Sequence, residues 1–119
     1  FLDTVELGNN CIVSVKSFKD AVSLRHLYLG GNRISDISPL AGLVNLETLY
    51  LDDNRIDDIT PLGNLVNMKK LKLNDNWIKD IKPLEGMVLL ENLELRNNRI
   101  TDISPLLALC ENGGFSNMS

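Results

Sequence analysis

Apolar residues recur along the chain in columns with one constant stride. Leu2, Leu24, Leu46, Met68 and Leu90 stand 22 positions apart. Val5, Leu27, Leu49, Leu71 and Leu93 follow with the same step, then Leu7, Leu29, Leu51, Leu73 and Leu95. Ile12, Ile34, Ile56, Ile78 and Ile100 make the next column, and Val15, Ile37, Ile59, Ile81 and Ile103 another. Phe18, Leu40, Leu62, Leu84 and Leu106 continue, and Ala21, Leu43, Leu65, Met87 and Leu109 close each unit. Within Leu27-Tyr28-Leu29 apolar and polar positions alternate, which predicts a short half-buried strand. One such strand cannot bury its face alone. Stacked copies make a parallel sheet over a continuous aliphatic core. Five strands at a spacing of about 4.8 Å predict a sheet roughly 24 Å across.

Polar columns share the stride. Asn10, Asn32, Asn54, Asn76 and Asn98 follow each strand where the chain turns away. A buried turn leaves backbone groups without ladder partners, and a carboxamide supplies both a donor and an acceptor. We therefore expect an internal ladder of asparagines. Ser38-Pro39, Thr60-Pro61 and Ser104-Pro105 pair a capping hydroxyl with a proline, the expected start of a short helical turn. Lys82-Pro83 keeps the proline without the hydroxyl cap. Ser17-Phe18 has no proline, so the first helical side is expected to be looser. Asp36, Asp58, Asp80 and Asp102 form a column just before these turns, which points to turn stabilisation rather than a metal site.

The spacing L-x-x-L-x-L-x-x-N-x-I, repeated every 22 residues and followed by I-x-D-I-x-P-L, resembles the leucine-rich repeat family. Its length resembles the repeats of bacterial internalins and of phosphatase-regulatory proteins, and the proline version is closer to the internalins. The resemblance runs from residue 2 to about 111. It implies an α/β fold: a right-handed solenoid, or horseshoe, with a concave parallel β-sheet and short helical or 3-10 turns on the convex side. The repeats read as about 1–23, 24–45, 46–67, 68–89 and 90–111, with 112–119 a degenerate repeat or tail. Phe115 would fall in the column of Leu93, while Asn112 and Asn117 replace leucines. Internalins usually carry a polar helical cap before the first repeat. Here Leu2, Val5 and Leu7 begin almost at once. A start at Phe1 rather than Met is expected of a processed or excised piece.

Composition narrows the functions. The chain is 44% hydrophobic but 5% aromatic, so its core must be aliphatic. Twelve Lys and Arg against 16 acidic residues give a net charge of −4, which argues against nucleic acid as partner. No apolar run approaches the roughly 18 residues of a membrane-spanning helix, so no membrane insertion is expected. Cys11 and Cys110 have neither the number of a disulfide framework nor the spacing of a zinc site, and read as small buried or edge hydrophobes. His26 is the single histidine, with no cysteine or serine placed beside it by sequence and no glycine-rich phosphate loop. No catalytic residue, metal ligand or cofactor is expected.

What repeats is scaffold, so candidate function lies in what varies at outward positions. Tyr28 and Tyr50 share a column in adjacent repeats, where their rings can stack, either to bind a partner or to stabilise the sheet. Lys69, Lys70 and Lys72 make a basic rung, to be neutralised by Glu47, Glu91 and Glu94 or to recognise a partner. Trp77 replaces arginine in the column Arg33, Arg55, Arg99, as an anchor or as a ring packed over arginine stems. The expected binding residues are Arg25, His26, Tyr28, Glu47, Tyr50, Asp52, Lys70, Lys72, Trp77, Glu94 and Arg96. The leading expectation is a non-catalytic module that binds a protein partner, of unknown identity, on its concave face. The alternative is a structural element that self-associates end to end. The internalin resemblance leans toward a bacterial cell surface or secreted protein, and two unpaired cysteines toward a cytoplasmic one.

Overall fold

The Leu-x-Leu segments form five three-residue strands in a computed structural model that describes residues 2–115. They are β1 (Thr4–Glu6), β2 (His26–Tyr28), β3 (Thr48–Tyr50), β4 (Lys70–Lys72) and β5 (Asn92–Glu94). They make one parallel sheet in sequence order, and every residue pairs with the one 22 positions on. The middle residue of each strand points inward. Leu27, Leu49 and Leu71 are fully buried, whereas Tyr28, Tyr50 and Lys72 stay partly open. A one-residue slip would turn this leucine file outward, so the apolar pattern fixes the register.

The asparagine ladder is present. Asn54 Nδ2 donates to the carbonyls of Leu29, Leu51 and Asp52, and its Oδ1 accepts the Ile34 N–H at 3.0 Å. Asn32, Asn76 and Asn98 make the same set in their own repeats. Each carboxamide thus ties its own repeat to the preceding one. Asn10, on the first rung, is exposed and donates to the Gly8 carbonyl. Just before the ladder the chain enters the left-handed region in every repeat: φ is 60° at Asn9, 70° at Gly31, 55° at Asp53, 58° at Asp75 and 57° at Asn97. These residue types tolerate that conformation, which turns the chain out of the strand and aims the next side chain inward.

The helical side consists of 3-10 turns at Lys16–Phe18, Ser38–Leu40, Thr60–Leu62 and Lys82–Gly86 and one α-helix, α1 (Ser104–Glu111). The expected hydroxyl caps are not the device used. The residue before each turn is apolar and gives no side-chain cap. Instead Asp36, Asp58, Asp80 and Asp102 Oδ1 accept the N–H two residues on, from Ser38, Thr60, Lys82 and Ser104, each at 2.9 Å. Lys82 keeps this backbone bond without a hydroxyl. The acidic column holds the turns, as its position suggested. The first turn, without proline or aspartate, buries none of its residues. In the middle repeats Gly42, Gly63 and Gly86 follow the proline turn; the fifth has Leu107 and Ala108 there and extends to eight helical residues.

The ends depart from the columns. The core runs unbroken from Leu24 to Leu90, but Leu2 is 49% exposed and Ile103 is 61% exposed, since among the described residues no coil packs over them. Leu7 is also exposed. The degenerate repeat does not supply a sixth strand among the described residues. After α1 the chain turns through Gly113 (φ 102°), and the Phe115 N–H donates to the Leu90 carbonyl, out of step with the 22-residue register. Phe115 packs partly against the core. Asn117 lies outside the described residues. Both cysteines are exposed, which excludes the buried of the two expected readings; they do not fill core columns.

Candidate functional site

Three separate clusters arise from the outward positions. In the first, Arg25, Glu47 and Lys69 sit at the strand entrances of three adjacent repeats. The Arg25 Nε donates to Glu47 Oε2 at 2.7 Å, and the Lys69 ammonium lies 3.3 Å from Glu47 Oε1. Arg25 first, then Lys69, hold the Glu47 carboxyl below the usual carboxylate range, and Glu47 in turn raises the Arg25 guanidinium. Glu91 shares this column but makes no ion pair with Lys69 among the described residues. A hollow of 550 Å³ borders the cluster, lined also by Ser23, Asn45, Asn67 and Leu89. Asn45 and Asn67 form a second, shorter ladder, donating to the Val22 and Val44 carbonyls. Leu89 interrupts it with an exposed apolar side chain.

The second cluster is built on Tyr28 and Tyr50. Their ring centroids are 4.8 Å apart and the planes are at 88°, an edge-to-face pair. The ring quadrupole favours this arrangement. The Lys72 ammonium sits 4.3 Å above the Tyr50 ring and 4.0 Å from Glu94. Beside the tyrosines, Gly8, Asn9, Gly30, Gly31, Asp52 and Asp53 enclose a hollow of 270 Å³. The Asp52 carboxylate lies so close over Gly30 that a β-carbon there would meet its oxygens at 2.8 and 3.0 Å. Glycine at this position is what lets the carboxylate lie over the backbone of the neighbouring strand.

The third cluster surrounds Trp77. Arg99 lies 5.7 Å from its ring centre, and the adjoining hollow is lined by Asp57, Asp58, Lys79 and Asp80. Trp77 therefore belongs to the flank leading to the helical side, apart from the tyrosine hollow, because its column lies beyond the left-handed turn. The remaining expected residues are scattered. His26 Nδ1 is 3.0 Å from the hydroxyl of Thr48, its register partner on β3. Lys70 is exposed on β4. Glu94 accepts from Asn74 Nδ2 at 2.6 Å, and Asn74 Oδ1 accepts the Arg96 N–H at 2.7 Å, so the buried Asn74 joins the last two repeats. Its burial was invisible in a column that otherwise reads Gly8, Gly30, Asp52 and Arg96.

The uniform 22-residue register, the parallel sheet and the buried asparagine file agree with the family described as "Leucine Rich repeats (2 copies)", which matches residues 22–64 and 66–108. The chain is a leucine-rich repeat protein. Domains of this family are generally protein–protein interaction modules and typically non-catalytic. Among solved structures, internalin C2 from Listeria monocytogenes is similar over 91% of this chain, at 41% identity and a TM-score of 0.89. An internalin F from the same species matches 91% of the chain at 28% identity and a TM-score of 0.73. A leucine-rich repeat protein of Leptospira interrogans matches the same share at 25% identity and a TM-score of 0.81. The matched parts are 48%, 38% and 29% of those chains, so this chain spans less than half of each. A search of curated proteins gave no match. The likeness is of the internalin-like type, as the proline-containing repeat suggested. No helix among the described residues is long and apolar enough to cross a membrane.

Proposed function

We propose that this leucine-rich repeat protein binds a protein partner through its sheet face, without catalysis, and that Tyr28 and Tyr50 form the centre of the contact. The edge-to-face tyrosine pair carries the reading. Two large rings stand partly open on adjacent strands, held by each other and by Lys72, so little entropy is lost when a partner covers them. Arg25, His26, Glu47, Asp52, Lys70, Lys72, Glu94 and Arg96 form the polar surround. Trp77 belongs to a separate flank and serves a second contact if the partner wraps past the turn. The similarity to internalins favours a bacterial surface or secreted setting.

The test is capture of a partner on immobilised wild-type chain, then comparison with Tyr28→Ala plus Tyr50→Ala. Lost capture with an unchanged urea melt supports the reading, and full retention overturns it. End-to-end association is the second reading, favoured by exposed Leu2 and Leu7 at one end and by a hollow lined by Asn92, Leu93, Leu95, Leu106 and Phe115 at the other. Charge opposes it. Continuing the register would set Asp3 of one copy beside Glu91 of the next, and Glu6 beside Glu94. Sedimentation that shows concentration-dependent growth would favour it nonetheless.

A further inference from the structure

The tyrosine hollow has a chemical preference, and its own side chains show it. Tyr50 already carries a cation on its ring, the Lys72 ammonium at 4.3 Å. Tyr28, one repeat earlier, has the Tyr50 ring at one side and Glu6 as its register partner on the other. Glu6, Asp52 and Asp53 make no ion pair among the described residues, whose ion pairs use Glu47 and Glu94. This contrasts with the Arg25–Glu47–Lys69 cluster, whose charges satisfy one another. Tyr28 and Asp52 line the same hollow, and the glycines at 30 and 31 let the Asp52 and Asn9 side chains lie close over the backbone at its floor.

We infer that this hollow receives a guanidinium group, an arginine side chain presented by the protein partner, seated against the Tyr28 ring and paired with Asp52. The inference rests on the proposed use of the sheet face and names the kind of group that face reads. A planar cation matches both walls. Its face lies on the aromatic ring, and its edge donates two N–H groups to one carboxylate. Asp53 and Glu6 add negative potential without steric demand. An apolar side chain would instead bury the Asp52 carboxylate without a partner, and an acidic one would face the carboxylates of Asp52 and Asp53.

The probe is the capped tripeptide acetyl-Gly-Arg-Gly-amide, titrated into the isotopically labelled chain and followed by amide and tyrosine-ring chemical shifts. Acetyl-Gly-citrulline-Gly-amide, of the same shape without charge, is the control. We expect saturable shifts at Gly30, Gly31, Asp52, Asp53 and the Tyr28 ring, with a dissociation constant of about millimolar order for so small a ligand. The citrulline peptide and the Asp52→Asn variant should each bind at least about fivefold more weakly. Asp52→Asn leaves the backbone bonds of the turn untouched, so its melt should match wild type. Equal binding of the two peptides, or shifts confined to another face, would overturn the inference. A captured partner that is lost on Tyr28→Ala plus Tyr50→Ala but held normally by Asp52→Asn would also overturn it, while leaving the binding face in place.

Discussion

Replacing Asn54 by alanine removes four hydrogen bonds yet strands one group. The Leu29 carbonyl keeps a donor in Asn32, the Leu51 carbonyl keeps Asn76, and the Asp52 carbonyl keeps the Gly31 N–H. The Ile34 N–H has Asn54 Oδ1 as its acceptor, and Ile34 is fully buried. A stranded buried donor costs about 1–3 kcal/mol, and the void left by the carboxamide adds to it, so we expect a loss of about 2–3 kcal/mol. With a urea dependence of about 1–3 kcal/mol per molar, the midpoint should fall by roughly 1 M. Asn10 is the internal control. Exposed and bonded to Gly8 alone through its side chain, it should cost under about 0.5 kcal/mol on replacement by alanine. Asn54→Asp is the sharper variant. It keeps the shape but sets a carboxylate oxygen against three carbonyls, so at pH 7 it should be worse than alanine. The fold would raise that carboxyl's pKa, so the deficit relative to wild type should shrink as pH falls and the group protonates. Urea titrations followed by circular dichroism measure all three. Equal losses at Asn10 and Asn54, or an aspartate no worse than alanine, would refute the ladder's energetic role.

Leu89→Asn should complete the second ladder by donating to the Val66 carbonyl while removing an exposed leucine, raising stability by about 0.5–1 kcal/mol; a lower urea midpoint would contradict this. A double-mutant cycle on Tyr28 and Tyr50 should give a coupling of about 0.5–1.5 kcal/mol, and additive losses would mean that the edge-to-face geometry contributes nothing. Acid should destabilise the protein through its turn aspartates. Asp36 and Asp102 are held below the usual carboxylate range by a backbone N–H first and a serine hydroxyl second, and Asp58 by the Thr60 hydroxyl first. Depressed values mean stability that is complete above about pH 4 and is lost as pH falls through the folded-state values. Asn at all three positions should flatten the midpoint between pH 5 and pH 3 on that ground, and an unchanged slope would place the acid sensitivity elsewhere.

The fold was legible because its causes recur. A column such as Leu27, Leu49 and Leu71 states the same burial again and again, and the asparagine file states the same unmet backbone groups. The left-handed column of Asn9, Gly31, Asp53, Asp75 and Asn97 carried an equally clear signal, residues that tolerate positive φ at one fixed offset, and went unread. The turn caps were assigned to the wrong partner because hydroxyl and carboxylate columns lie two residues apart and both accept N–H groups. Lys82 discriminated between them, since a turn that forms without a hydroxyl must be held by something else. The site was legible only in part. A shared column fixes which side chains are neighbours but not how rings tilt, which is why the tyrosines were placed together and their geometry was not. For Trp77 the shared column with Arg33, Arg55 and Arg99 gave the neighbour that lies against its ring, Arg99, but not which hollow it borders.

Neighbourhood, rather than residue identity alone, sets what each outward position can do. The stride that makes every backbone environment equivalent also makes every side chain border the same position in the repeats before and after it. Tyr28 next to Glu6 and Tyr50 is an acidic aromatic wall, whereas Tyr50 next to Lys72 is already occupied by a cation. Glu47 between Arg25 and Lys69 is spent on its neighbours, whereas Asp52, bordered by Gly30 and Asn74, is not. Exchanging two of the middle repeats would preserve the core, the ladder and the turns, because those columns are interchangeable there. It would rebuild every one of these pairings. A binding surface on such a scaffold is therefore encoded in the order of its repeats, and it can change completely while the fold beneath it stays the same.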